Sequence, residues 1–165
     1  MSAKSTLLRS IAATAVMSTL SLAPAVAADA AADMTMVNPG SIKWSDAPPS
    51  LPKGAKAAVL YGDPGKPGPV TMRLMLPAKY KVAPHTHTQA EDLTVISGTM
   101  YLGMGEKAEP SKAHALRAGG FHHLPGKTPH YVFTKVPTVV EGHFEGPFDI
   151  NYINADDNPD KTAKK

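Results

Sequence analysis

The strongest constraint on how this chain folds is a rhythm of short strands and turns. Past residue 30, no window of eleven residues carries an apolar stripe of period 3.6. Short apolar or alternating runs recur instead at 57–61, 70–76, 80–87, 93–96, 99–102, 113–116, 121–124, 130–134, 138–144 and 148–153. Gly and Pro, 13 and 16 in number, punctuate them. These residues supply the backbone angles that strands refuse. Residues 62–69 read Gly-Asp-Pro-Gly-Lys-Pro-Gly-Pro, a long turn, and Ser97-Gly98 is a two-residue hairpin signal. Many short strands at close spacing predict an all-β sandwich or barrel. At 165 residues the chain holds one domain.

The first 27 residues read differently. Lys4 and Arg9 give a positive start, residues 11–22 are mostly apolar, and Pro24 leads into Ala25-Val26-Ala27. That is the three-part pattern of a secretory signal peptide cut after Ala27. Its apolar stretch is shorter than the ~20 residues a bilayer span needs. The expected destination is periplasmic or secreted. Cutting there leaves 138 residues with 15 Lys+Arg and 14 Asp+Glu. A net charge of +1, with no basic run interleaved with aromatics, gives nucleic acid no purchase. No later run is long enough to span a membrane. Residues 28–40 are expected to be a flexible tether. Residues 41–54, with three prolines, read as an extended arm anchored by Trp44. The barrel follows over 55–153, and 154–165 is a polar, fraying tail.

The absence of Cys excludes disulfides, zinc ribbons, iron–sulfur clusters and cysteine nucleophiles. Chemistry therefore falls to His and the carboxylates, and all seven His lie between His85 and His143. His85-Thr86-His87 places two imidazoles on one face of a strand, because residues i and i+2 point the same way. Two such rings side by side are costly to bury without a partner, and a metal ion is one such partner. Glu91 follows four residues after His87, then Gly98, and later Gly119, Pro125 and His130.

Together these residues resemble the two motifs of the cupin superfamily. The first runs Gly, five residues, His-x-His, three or four residues, Glu, six residues, Gly. His85, His87, Glu91 and Gly98 match it, with Lys79 in place of the leading Gly. The second runs Gly, five residues, Pro-x-Gly, two residues, His, three residues, Asn. Gly119, Pro125 and His130 match, the inner Gly falls one place early at Gly126, and Thr134 stands where Asn would be. More narrowly, Tyr61-Gly62-Asp63-Pro64 and Gly146-Pro147-Phe148 resemble bacterial cupins related to the cupin part of ChrR anti-sigma factors. The resemblance implies a small double-stranded β-helix, or jelly-roll, barrel with an extended N-terminal arm. It also implies one divalent metal ion held by His85, His87, Glu91 and His130. Three neutral imidazoles and a carboxylate suit Fe2+, Mn2+, Ni2+ or Zn2+ alike. Homodimer formation, with the Trp44 arm contributing, is a further expectation from the resemblance.

The remaining candidates depend on which face they occupy. Glu141 and His143 share a face by period 2; facing inward they line the pocket, and facing outward they form a solvated pair. His122 and His123 are adjacent, so one points in and one out. His143 and His123 are the candidate substrate contacts. Glu91 and Tyr101 are the candidate catalytic groups, and His114 is expected at the surface. Met72, Met75, Met100 and Met104 read as barrel filling. The functional expectation is an exported metal-dependent enzyme, a dioxygenase, isomerase or lyase acting on a small oxygenated molecule. The alternative is a non-catalytic periplasmic cupin that binds a ligand or metal for sensing, since fold alone does not fix function.

Overall fold

A computed structural model of the chain describes residues 34–162. The expected signal peptide over residues 1–27 lies outside the described residues. Eleven strands run β1 (Ser45–Asp46), β2 (Lys56–Tyr61), β3 (Gly68–Leu76), β4 (Lys81–Thr86), β5 (Glu91–Ser97), β6 (Thr99–Met104), β7 (His114–Arg117), β8 (Phe121–Leu124), β9 (His130–Thr134), β10 (Thr138–Gly146) and β11 (Asn151–Tyr152). They form a six-stranded sheet ordered β1-β2-β3-β10-β5-β8 and a five-stranded sheet ordered β11-β4-β9-β6-β7. Every described pairing is antiparallel. The architecture is a jelly roll. Residues 45–46 of the expected arm form an edge strand, and the tail carries one short α-helix, α1 (Pro159–Thr162). Among the described residues no helix is long and apolar enough to cross a membrane.

The inner faces of the two sheets make the core. Leu93, Val95, Met100, Leu102, Leu124 and Val140 form one buried cluster between them. A second gathers Leu51, Ala55, Leu76, Tyr80 and Val82 at the end where the arm arrives. The buried side chain of the arm is thus Leu51, whereas Trp44 is only half-buried and belongs to none of the core clusters. Met72 and Met100 fill the barrel as expected, but Met75 and Met104 face solvent. At the hairpin between β5 and β6, Gly98 has a φ of 78°, and a Cβ there would lie 2.4 Å from the Pro137 carbonyl oxygen. The tight turn and the close strand explain why glycine occupies that place.

One irregularity in β4 positions the site. Val82 pairs with Val132 on β9, and His85 pairs with His130. Three residues on one strand therefore span a step of two on the other, which is a β-bulge. In a regular strand Val82 and His85 would face opposite ways. The bulge at Ala83-Pro84 turns both inward. Pro84 suits the place because it has no N–H to leave unpaired.

Candidate metal centre

His85 on β4, His87 just beyond it and His130 at the start of β9 converge inside the barrel. One ring nitrogen from each lies within 4.8 Å of the others. His85 and His130 are buried, and their ring centroids are 4.2 Å apart. The orientation of each ring follows from its other nitrogen. His85 Nδ1 is 2.7 Å from the Ala83 carbonyl, a group the bulge makes available to it. His130 Nδ1 is 3.0 Å from the Thr128 carbonyl, again two residues back. His87 Nδ1 is 2.5 Å from the carbonyl of Asp149, sixty-two residues further along the chain. A carbonyl can only accept, so each Nδ1 carries the hydrogen, and in a neutral ring that leaves the lone pair on Nε2. Backbone carbonyls commonly fix metal-binding imidazoles in this way.

The electrostatics agree with that protonation state. Burial, reinforced by the neighbouring His130 and His87, lowers His85 to about 3. Burial also lowers His130. Both rings are therefore neutral near pH 7, as ligation requires. His130 Nε2 is buried and has no hydrogen-bond partner. An orphaned lone pair beside two others is what a divalent cation would satisfy, and the donor set fits such an ion.

Glu91, the first residue of β5, flanks the triad. Its Oε1 is 3.7 Å from His87 Nε2 and its Oε2 is 3.8 Å from His130 Nε2. Its shortest contact is to a residue outside the motifs: Oε2 lies 3.1 Å from His122 Nε2. Burial alone would raise the Glu91 carboxyl. The His122 hydrogen bond and the nearby imidazoles outweigh it and hold the group at about 2. Asp149 is a second residue that motif reasoning missed. Beyond its carbonyl contact to His87, its carboxylate accepts the Thr88 N–H at 2.8 Å, the Thr88 hydroxyl, and the Asn151 amide at 2.8 Å. Those bonds fasten the segment that follows His87. The Thr88-plus-Asp signal is too short to stand out in sequence.

Three candidates are not brought to the cluster. Tyr101 lies between inward Met100 and Leu102, so it faces away from the core, stacks on Phe133 at 4.8 Å and sits under the Lys135 ammonium. His123 is exposed and pairs with Asp92 at 2.5 Å, because inward His122 and Leu124 leave it the outer face. His143 is exposed between the inward Gly142 and Phe144, and bonds Thr71 at 3.1 Å, with Glu141 3.3 Å away. Glu141 in turn pairs with Arg73 at 2.6 Å. His114 is exposed on β7, as expected.

Two of the three departures from the cupin motifs keep the backbone shape that glycine would supply. Lys79 and Lys127 stand where the motifs carry Gly, and both have a φ of 63°. Gly126 serves a separate need, since a Cβ there would meet the Thr88 carbonyl at 2.5 Å.

A cavity reaches the triad, and part of it is continuous with solvent. Its only polar side chains are His85, His87, Glu91 and His130, at one end. The remaining lining is apolar or glycine, and Phe144 and Phe148 also line a second, smaller pocket.

A family model described as a domain of unknown function (DUF4437) matches residues 25–148. The chain belongs to this cupin-like family. Solved structures place this DUF4437 member among proteins of cupin fold. The polyketide cyclase RemF from Streptomyces resistomycificus is similar with a TM-score of 0.63 and 16% identity, covering 80% of this chain and 94% of that one. An acetylacetone dioxygenase candidate from Methylibium petroleiphilum PM1 gives 0.60 at 17% identity, covering 79% and 93%. An RmlC-like cupin from Shewanella frigidimarina gives 0.52 at 12% identity, covering 66% and 87%. At these identities the likeness shows the fold. No curated protein sequence matches the chain.

Proposed function

We propose that this chain is an exported, metal-dependent cupin enzyme acting on a small oxygenated molecule. The observation that carries the reading is the triad: three imidazoles, each fixed through Nδ1 to a backbone carbonyl, turn their lone pairs toward one another inside a cavity. His85, His87 and His130 would hold one divalent ion, with Glu91 as the fourth ligand. The ion would polarise substrate oxygens as a Lewis acid. Fe2+, Mn2+, Ni2+ and Zn2+ all suit this donor set.

The cavity lining narrows the substrate. Polar groups stand only at the triad, and the walls are apolar. A multiply charged molecule would bury charge without partners, which is costly. A neutral or singly charged compound fits better, with two neighbouring oxygens at one end, as in a 1,3-diketone or an enediol, and an apolar body. Two fold neighbours are named for polyketide and acetylacetone chemistry, which is consistent with that class. Glu91, the only anionic group on the lining, is the candidate acceptor for a substrate proton.

The test uses the mature chain from residue 28. It is loaded in turn with Fe2+, Mn2+, Ni2+ and Zn2+, bound metal is measured, and oxygen uptake or product is followed with diketones, catechols and small hydroxy acids. One ion per chain and turnover with one substrate class are expected. Failure to take up any of the four metals overturns the reading. Stoichiometric metal without turnover favours a non-catalytic sensing cupin. Protein recovered from its native host should begin near Ala28; an intact Met1 on cytoplasmic protein would end the export proposal.

A further inference from the structure

His122 is the one histidine inside the barrel that the motifs leave without a role. It sits on β8, an edge strand of the six-stranded sheet, opposite Leu93 of β5. It is buried, with 7% of its surface exposed. Its ring is arranged in the opposite sense to the triad rings. Those engage Nδ1 with the backbone and leave Nε2 free, whereas His122 commits Nε2 to Glu91 Oε2 at 3.1 Å. Its Nδ1 is buried with no partner. An ionised carboxylate only accepts, so Nε2 is the N–H donor. The Glu91 contact is thus the single polar bond that aims this ring. A buried ring with one nitrogen unsatisfied is uncommon in native proteins and calls for a reason.

The reason lies in what the bond does to Glu91. Among the described residues, Oε2 accepts the His122 hydrogen bond and Oε1 accepts none. We infer that His122 is a positioning residue for Glu91: by occupying Oε2 it leaves Oε1 as the one carboxylate oxygen offered to a divalent ion. Coordination through Oε1 alone is thereby favoured over coordination through both oxygens, which would keep a position open for substrate. The inference rests on the metal reading above. It adds a role for a residue that touches neither the triad nor the substrate end of the cavity, since His122 does not line that cavity.

Two amide substitutions separate the nitrogens. In His122→Gln the side-chain amide reaches the place of Nε2 and can still donate to Glu91. In His122→Asn it reaches only the place of Nδ1. Co2+ is the probe, because its visible absorption bands change in intensity with coordination number. Wild type and His122→Gln should share a Co2+ spectrum and bind within about threefold of each other. His122→Asn should bind about 10- to 100-fold more weakly, the range for loss of a group that orients a ligand, with an altered spectrum. His122→Ser replaces it if the Asn variant does not fold. Spectra and affinities unchanged in both amide variants overturn the inference and leave the metal reading standing. Equal loss in both, with the spectrum of a site missing a nitrogen ligand, also overturns it, because His122 would then be a ligand itself. A wild type that takes up no Co2+ overturns the metal reading, and that result is read on the wild type alone.

Discussion

Lys127 donates its backbone N–H to the carbonyl of His87 at 2.7 Å, and does so from a left-handed backbone with a φ of 63°. The turn before one triad histidine, His130, is therefore bonded to the backbone of another, His87. A non-glycine residue in this conformation costs about 1–2 kcal/mol, while glycine gives back about 0.5–1 kcal/mol through its freer unfolded chain. Lys127→Gly should leave stability unchanged or raise it by up to about 1 kcal/mol. Lys127→Val, β-branched and worse suited to this region than Lys, should lower it and weaken metal binding with it. Urea denaturation of the three proteins checks the ranking. A valine variant as stable as wild type would show that the turn relaxes to another shape.

The face each side chain occupies predicts which substitutions matter for metal. His85→Ala, His87→Ala and His130→Ala should each lower affinity by at least about 100-fold, above the range seen for groups that only orient a ligand. Tyr101→Phe, His123→Ala, His143→Ala and His114→Ala should stay within about twofold of wild type. Titration calorimetry gives the affinities directly. In thermal melts, metal at 100 times its dissociation constant stabilises by about 2.7 kcal/mol, and that shift should vanish in the first group alone.

Stability of the metal-free protein should fall as pH drops. His85 is lowered from 6.5 to about 3, and His130 is lowered as well. Between these values the unfolded chain binds protons that the folded protein refuses, so stability rises with pH across that window and is lost on acidification. Glu91, lowered from 4.5 to about 2, acts in the same direction below about 4.5, since its contribution is present above its ordinary value and lost on protonation. Urea midpoints measured with chelator between pH 7 and pH 4 should decline. Replacing His85 by Leu should flatten the slope by up to about 1.4 kcal/mol per pH unit, the value of one proton. An unchanged slope would mean that His85 titrates normally in the folded state.

Leu51 is the arm residue whose loss should be felt most. It is buried against Leu76, Tyr80 and Val82. Leu51→Ala should cost about 2–5 kcal/mol by denaturant unfolding, and Trp44→Ala should cost less. The reverse order would make Trp44 the anchor that the sequence suggests.

How much was legible in the sequence varies with the physics involved. The strands were readable because turn residues separate them. The pairing of His85 with His87 on one face was readable because spacing on a strand is a two-residue matter. Faces were harder, because face depends on register. In β8, Phe121 and Leu124 are both large and apolar yet have opposite parity, so nothing local tells whether His122 or His123 turns inward. In β10, the even parity of Val140 and Phe144 is the signal that His143 lies outside, and Gly142 between them adds no apolar bulk to strengthen it. The bulge in β4 left only Pro84 as a trace. The Asp149 contact left none, because it joins segments remote in sequence.

That last contact bears on when the site becomes complete. Two of the three imidazoles are aimed by carbonyls two residues behind them, and so come ready once their own strands have paired. The third waits for residue 149. A chain synthesised only as far as β10 already contains all three triad histidines and Glu91 but lacks the peg that steadies His87. If the triad takes an ion as proposed, full-strength capture would therefore require residue 149, and a bound ion would report that this later stretch had arrived.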